Sequence, residues 1–90
     1  MNKIIKREEL NPTVTLLVVE APMVARKAEP GQFIILRVDE EGERTPFTIA
    51  DFDRKAGTIT IIFQIVGSTT MKLNSLREGD YIHDFVGPLG

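Results

Sequence analysis

The residues best suited to chemistry stand together in residues 43–51, which read Glu-Arg-Thr-Pro-Phe-Thr-Ile-Ala-Asp. Arg44 can make two parallel hydrogen bonds to a phosphate. The rigid ring of Pro46 precedes an aromatic face, Phe47, and a hydroxyl, Thr48. These side-chain types suit a large, flat, anionic ligand. Because neighbouring side chains of a strand point to opposite faces, Phe47 and Thr48 reach one ligand only if the strand twists or the ligand lies over its edge.

A second stretch, residues 66–73, has the residue types of an anion site. Gly67 lets a ligand approach the backbone, and the hydroxyls of Ser68, Thr69 and Thr70 follow it. Free amides at a helix start carry partial positive charge and favour phosphate. The same pattern fits an ordinary capped helix, with Ser68 or Thr69 as the cap. The two stretches could converge on one ligand.

Several other chemistries are excluded by composition. The chain has no cysteine and one histidine, His83, so we expect no metal site and no conventional catalytic set. The net charge of −2 and the pI of about 5.3 argue against nucleic acid or an anionic membrane as a partner. No apolar run approaches the roughly 20 residues of a membrane span. A chain without disulfides or a signal sequence is expected in the cytoplasm.

The hydrophobic pattern predicts short strands separated by polar turns. A chain of 90 residues is the size of one small domain. We expect a connecting loop at residues 23–28, an acidic turn at 39–43, and a loop leading towards a further domain at 86–90. A short helix is predicted over residues 68–76. The fold predicted is an all-β, six-stranded antiparallel Greek-key barrel with one short helix, because closure protects the edges of a small sheet; its strands are residues 3–10, 13–20, 32–38, 45–52, 58–66 and 81–86.

An ordered set of short motifs spans nearly the whole chain and resembles the flavin-binding barrel of the ferredoxin–NADP reductase superfamily. Within it, the chain is most similar to the electron-transfer subunit of dihydroorotate dehydrogenase and to the small subunit of the NADH-dependent reduced ferredoxin:NADP oxidoreductase. The motifs are Pro-Gly-Gln-Phe at 30–33, Arg44 with Pro-Phe-Thr-Ile-Ala at 46–50, Gly-Ser-Thr-Thr at 67–70 with Leu73, Glu-Gly-Asp at 78–80, and Gly-Pro-Leu-Gly at 87–90.

The resemblance implies a binding site for FAD. The superfamily's arginine for the pyrophosphate, its aromatic against the flavin and its hydroxyl near flavin N5 match Arg44, Phe47 and Thr48. Here the arginine precedes the hydroxyl by four residues where the general motif has three, and Phe replaces the usual Tyr. The pyrophosphate motif matches Gly67 and Thr70. The implied cofactor-binding set is Arg44, Pro46, Phe47, Thr48, Gln64, Ile65, Val66, Gly67, Thr69 and Thr70, with residues 64–66 on the adenine side.

The same resemblance implies a function for a longer protein. Residues 1–90 would be the FAD-binding module of a ferredoxin–NAD(P) reductase-type oxidoreductase that passes electrons between NAD(P)H and an iron–sulfur partner. An NAD(P)-binding domain is expected after residue 90, a [2Fe-2S] cluster beyond it, and a larger flavin/iron–sulfur subunit as a partner. The isolated chain should then be inactive and could self-associate through an exposed apolar face. The alternative is a small β-barrel interaction module without a cofactor, and a third reading is a purely structural barrel.

Overall fold

The strands predicted from the sequence are present in a computed structural model, which describes residues 1–90. It contains seven strands and two short helices. In chain order they are β1 (Asn2–Asn11), β2 (Val14–Glu20), α1 (Pro22–Lys27), β3 (Phe33–Arg37), β4 (Thr45–Asp53), β5 (Thr58–Gln64), α2 (Ser68–Asn74), β6 (Tyr81–Ile82) and β7 (Asp84–Leu89).

The strands form one antiparallel sheet in the order β6-β1-β2-β5-β4-β3-β7. The meander β3–β4–β5 lies beside β2, which is a Greek-key arrangement. The two edge strands, β6 and β7, are parts of one chain segment that changes partner at His83. That segment pairs with β1 before the histidine and with β3 after it, so the sheet is a nearly closed barrel. The all-β barrel class is confirmed, and the predicted count of six strands was wrong because this last strand is divided.

Alternating side chains of the strands fill the barrel. On β2, Leu17 and Val19 are fully buried, and on β5 Ile59 and Ile61 face them. The intervening side chains are partly or largely exposed, as the two-residue period of a strand requires. Each buried aliphatic side chain contributes about 1.5–3 kcal/mol relative to exposure. This shared core fixes the strands that carry the candidate site.

Residues 22–27 form helix α1, where the sequence had predicted a loop. Pro22 occupies the first turn of the helix, where a missing N–H costs nothing and the fixed φ is favourable. Val24 and Ala25 are buried, while Arg26 and Lys27 lie in the last turn, where a cation interacts well with the helix dipole. Six residues are too few to show a helical period, which is why the pattern predicted a loop.

The chain from Val86 to Leu89 belongs to β7, although the sequence had predicted a loop there. Val86 pairs with Ile35, and Leu89 pairs with Phe33. Gly87 makes this pairing possible, since a Cβ at that position would lie 2.8 Å from Ile34 Cγ2 and 3.2 Å from the carbonyl oxygen of Phe33. Neither helix is long and apolar enough to cross a membrane.

Candidate functional site

The outward-facing side chains of β4, β3 and β7 line up in rows across the sheet. Thr48 lies opposite Phe33, which in turn lies opposite Leu89. Pro46, Ile35 and Val86 form the next row. The residues between them on β3, Ile34 and Leu36, point into the core and are fully buried. We call this outer surface of β4, β3 and β7 the strand platform.

A cavity of about 350 Å³, which we call the strand cavity, opens on the strand platform. None of its lining residues is charged, and the only side-chain hydrogen-bonding group among them is the Thr48 hydroxyl. Aromatic and proline rings with one hydroxyl suit a flat, largely apolar ring system that carries polar edges. The lining residues are Gly31, Phe33, Pro46, Phe47 and Thr48.

Phe47 has a second role in the core. Its ring packs edge-to-face against buried Phe63, with centroids 5.9 Å apart and planes at 73°. Thr48 and Pro46 are exposed on the opposite face of β4. Both Phe47 and Thr48 nevertheless line the cavity, so the strand edge brings the two side chains to one space, which is the condition that the sequence set for a shared ligand.

Arg44 lies just before β4 with its side chain exposed. It takes part in none of the ion pairs and none of the side-chain hydrogen bonds of the structure. Three other arginines donate hydrogen bonds to protein oxygens: Arg7, Arg37 and Arg54. Arg44 is therefore a cation that is free to bind an anion near the strand platform.

The start of α2 is capped differently from the prediction. Gly67 is the N-cap, with extended backbone, and neither Ser68 nor Thr69 makes a cap hydrogen bond. Instead, the hydroxyl of Thr70 accepts from the amide of Val66 at 2.9 Å and from the amide of Gly67 at 3.0 Å. It also donates to the Gly67 carbonyl at 3.1 Å. Thr70 is thus committed to the fold of this turn, as the third helical residue of a capping box is.

The other end of α2 is tied to the barrel. The guanidinium of Arg7 donates to the side-chain and backbone oxygens of Asn74, at 2.8 and 3.0 Å. The hydroxyl of Thr15, which is fully buried, donates to the same side-chain oxygen at 2.6 Å. A cation at the last helical carbonyls also suits the helix dipole. These bonds fix the end of α2 on strands β1 and β2.

A second cavity, of about 180 Å³, lies between α2 and the acidic loop that precedes β4, and we call it the helix cavity. Its wall carries two carboxylates, Glu41 and Glu43, which oppose a bound anion. Lys72 is the one cation in the wall, and its ammonium is held by the Asp39 carboxylate at 2.8 Å. The full lining is Val38, Glu41, Gly42, Glu43, Ser68, Thr69 and Lys72.

The ion pair between Lys72 and Asp39 shifts both groups. The hydrogen bond from Lys72 is the main reason why the pKa of Asp39 is below its ordinary value of 3.8. The same hydrogen bond raises the pKa of Lys72 above its ordinary value of 10.5. Both side chains are about half exposed, so the pair is screened by solvent and adds little stability. It can exchange partners at small cost.

The predicted adenine-side residues stay apart from both cavities. Gln64 ends β5 opposite Val14 and is exposed. The amide of Ile65 donates to the Thr13 carbonyl at 2.8 Å, and 74% of Val66 is exposed. None of residues 64–66 lines either cavity. The structure therefore brings together Pro46, Phe47 and Thr48 in one cavity and places Thr69 alone of the predicted set in the other.

Eight residues of the two cavity walls lie outside the predicted cofactor-binding set, four of them in or next to the acidic loop: Val38, Glu41, Gly42 and Glu43. Gly31 and Phe33, which belong to the Pro-Gly-Gln-Phe motif at 30–33, line the strand cavity. Ser68 and Lys72 line the helix cavity. The spacing of four residues, which puts two side chains on the same helix face, could have identified this last pair.

No protein-family model matches the chain. An uncharacterized protein in the adh 3' region of Clostridium beijerinckii is 53% identical over 90 residues, which are 100% of this chain and 30% of that protein. The electron transfer subunit homolog of dihydroorotate dehydrogenase B from Thermotoga maritima is 40% identical over 90 residues, or 100% of this chain and 32% of the relative. The chain therefore spans about a third of the length of these curated relatives.

Comparison with solved structures also finds matches over the whole length of this chain or nearly so. A structure of the NADH-dependent reduced ferredoxin-NADP oxidoreductase, described for flavin-based electron bifurcation, matches 100% of this chain and 33% of its own chain, with a TM-score of 0.97 and 40% identity. The cytochrome b5 reductase domain of Ulva prolifera nitrate reductase covers 99% of this chain and 39% of its own, with a TM-score of 0.81 at 17% identity, which shows the fold alone.

By its fold and these likenesses, the chain is a β-barrel that resembles the barrels of ferredoxin–NADP reductase-like proteins. Within that class, its likeness is to the electron transfer subunits of dihydroorotate dehydrogenase B and to the NADH-dependent reduced ferredoxin-NADP oxidoreductase. Both likenesses that the motifs had indicated are confirmed.

Proposed function

We propose that this chain is the FAD-binding module of a flavin-dependent, ferredoxin–NAD(P) reductase-type oxidoreductase. The observation that carries the proposal is the match over the whole chain, at 40% identity, to the NADH-dependent reduced ferredoxin-NADP oxidoreductase, whose structure is described for flavin-based chemistry. The uncharged cavity on the strand platform and the unpaired Arg44 supply independent support.

The flavin ring would occupy the cavity on the strand platform. Phe33, Pro46 and Phe47 offer apolar contacts there, and the Thr48 hydroxyl is available to hydrogen-bond the polar edge of the ring. Arg44 would bind the pyrophosphate through charge-assisted hydrogen bonds. Since Glu43 lines the helix cavity and Pro46 lines the strand cavity, the two spaces are about three strand residues, or roughly 10 Å, apart along the chain.

The start of α2 would provide the rest of the pyrophosphate site. Thr69 lines the helix cavity and its hydroxyl has no partner within the chain. Gly67 and Thr70 would act through the backbone, because the Thr70 hydroxyl already holds the turn. Residues 64–66 would meet the adenine end, outside both cavities. The carboxylates of Glu41 and Glu43 require a compensating cation, and Arg44 is the free one beside them.

When bound, FAD would accept hydride from a nicotinamide and release single electrons to an iron–sulfur centre. The residues of this chain bind the cofactor, orient its ring and shield one face from water. The relatives have about three times the length of this chain, which supports a further NAD(P)-binding domain in the whole protein. A [2Fe-2S] cluster and a larger flavin/iron–sulfur subunit would complete the cytoplasmic enzyme. The apolar row of exposed Pro46, half-buried Ile35 and exposed Val86 is a surface that such a domain, or a second copy of the chain, would cover.

The test is a titration of the purified chain with FAD, followed by flavin fluorescence and absorbance. We expect saturable binding by the wild type. Arg44→Ala should weaken binding by about 1.5–3 kcal/mol, roughly tenfold to a hundredfold, because a hydrogen-bonded charge on the phosphates is lost. Thr48→Val should change the flavin absorbance bands, because the hydroxyl at the ring edge is removed.

Arg26→Ala is the matched control, since Arg26 is an exposed arginine on α1, away from both cavities. It should bind FAD like the wild type. A folded wild-type chain that binds no FAD would favour the cofactor-free interaction module. Equal FAD affinity of Arg44→Ala and Arg26→Ala would remove Arg44 from the site.

A further inference from the structure

Two arginines and one carboxylate occupy a single row at the charged end of the strand platform. Arg37 of β3 lies opposite Asp84 of β7. On the other side of β3, Leu36 lies opposite Thr45, and Arg44 directly precedes Thr45. Arg44, Arg37 and Asp84 therefore form a charged row across three neighbouring chain segments, in which the charge of Arg44 acts on Asp84.

Arg37 binds one oxygen of the Asp84 carboxylate through two nitrogens. Its Nε and Nη2 lie 2.8 and 2.7 Å from the same oxygen of Asp84. Its Nη1 donates to the Glu40 carbonyl at 3.2 Å. The two paired side chains are only 24% and 31% exposed, so the pair is partly shielded from water. Arg44 has no ion-pair partner in the structure.

Within this row, two cations accompany one carboxylate. Like charges close together on a sheet repel each other, and an anion bound at Arg44 would reduce that repulsion. Burial by itself raises the pKa of Asp84. The hydrogen bond and charge of Arg37, with the charges of His83 and Arg44, outweigh that effect, so the pKa of Asp84 lies below its ordinary value of 3.8. Asp84 therefore interacts electrostatically with Arg44 as well as with Arg37.

We propose that Arg37 is a positioning residue that keeps Arg44 available for the anionic ligand by holding Asp84. Without Arg37, Asp84 is the nearest carboxylate of the row and would pair with Arg44. The anion that completes the charge of the row is the pyrophosphate of FAD, so this inference rests on the proposed function. It gives Arg37 a role in ligand affinity, although Arg37 need not touch the ligand.

The test is a cycle of FAD titrations on the full chain with Arg37→Gln, Asp84→Asn and the double variant. Arg37→Gln should weaken FAD binding by roughly twofold to fivefold, because Asp84 then competes with the phosphates for Arg44. Asp84→Asn should bind at least as tightly as the wild type. The double variant should regain wild-type affinity, since no carboxylate remains to capture Arg44. Arg37→Lys keeps a cation beside Asp84 and should stay within about twofold of the wild type.

The rescue separates this role from a merely structural one. A structural role for the ion pair predicts that the double variant binds no better than Arg37→Gln, and that result would overturn the inference. So would unchanged affinity in Arg37→Gln, or weakened binding in Asp84→Asn, which tests the idea even if Arg37→Gln fails to fold. Failure of the proposed function is recognised separately, because the wild type then binds no FAD or Arg44→Ala binds as tightly as the wild type, and the inference fails with it.

Discussion

Two cavities of this barrel, one on the strand platform and one beside α2, differ in charge and in the elements that support them. The cavity on the strand platform is about 350 Å³, has no charged lining residue, and shares Phe47 with the hydrophobic core. The cavity beside α2 is about 180 Å³ and is lined by two glutamates and a lysine. Its walls are a loop and a helix start, which are held by a capping hydroxyl and one exposed ion pair.

The two cavity walls suit different parts of the proposed ligand. A rigid, uncharged wall built from core strands suits a flat ring whose position must be fixed. A charged wall built from a loop and a short helix can adjust to phosphates, and its ion pair can exchange. Arg44 lies in the chain between the two walls, so under the proposed function one cation would connect the ring site with the phosphate site.

The largest loss of stability is expected at Phe47, the side chain that the strand cavity shares with the hydrophobic core. Phe47→Ala should lower the free energy of unfolding by about 2–3 kcal/mol, less than for a fully buried phenylalanine because part of the ring is exposed. Urea denaturation measures the loss. Thr48→Ala, its exposed neighbour on the opposite face, is the control and should stay within about 0.5 kcal/mol of the wild type. Similar losses in both variants would mean that the cavity wall is not part of the core.

A smaller effect is expected at the helix cavity. Thr70→Val keeps the shape but removes the hydroxyl that accepts from Val66 and Gly67, so the free energy of unfolding should fall by about 1 kcal/mol. Thr69→Val is the matched control, because the Thr69 hydroxyl has no hydrogen-bond partner in the chain. Thermal or urea denaturation compares the two. Equal stability of these variants would contradict the assignment of Thr70 as the residue that caps the turn.

The smallest effect concerns the ion pair beside the helix cavity. The pKa of Asp39 is lowered on folding, so its contribution to stability is full above pH 3.8, declines as the pH falls below that value, and is gone below the folded-state pKa. Asp39→Asn should therefore show a shallower loss of unfolding free energy between pH 5 and pH 2, roughly the range in which an aspartate titrates. Lys72→Met removes the cause of the shift and should flatten the same curve.

Carboxyl titration by NMR gives an independent reading of that pair. The Asp39 carboxyl should titrate at higher pH in Lys72→Met than in the wild type, because its hydrogen-bond donor is gone. An unchanged titration would show that the two side chains do not pair in solution. The curve of unfolding free energy against pH for the double variant Asp39→Asn/Lys72→Met should match that of either single variant.

The pattern of side chains predicted the strands well because that information is local. The alternation of residues 58–64, Thr-Ile-Thr-Ile-Ile-Phe-Gln, shows its buried face directly. The turn at Gly31 and the helix after Gly67 also follow from residue type. Helix α1 was missed because six residues carry too little period, and the divided last strand was missed because one residue, His83, separates partners on opposite edges.

The sequence by itself determined the all-β class, the family-like motifs and the residue types of the proposed flavin site. Only the tertiary structure decided which residues meet: Phe33 beside Thr48 in one cavity, Ser68 and Lys72 facing the acidic loop in the other, and Arg37 paired with Asp84. The physical reason is that strand pairing joins residues far apart in the chain, so its register depends on how the whole core packs. The cap at Thr70, the free Arg44 and the captured Asp84 are consequences of that register and packing.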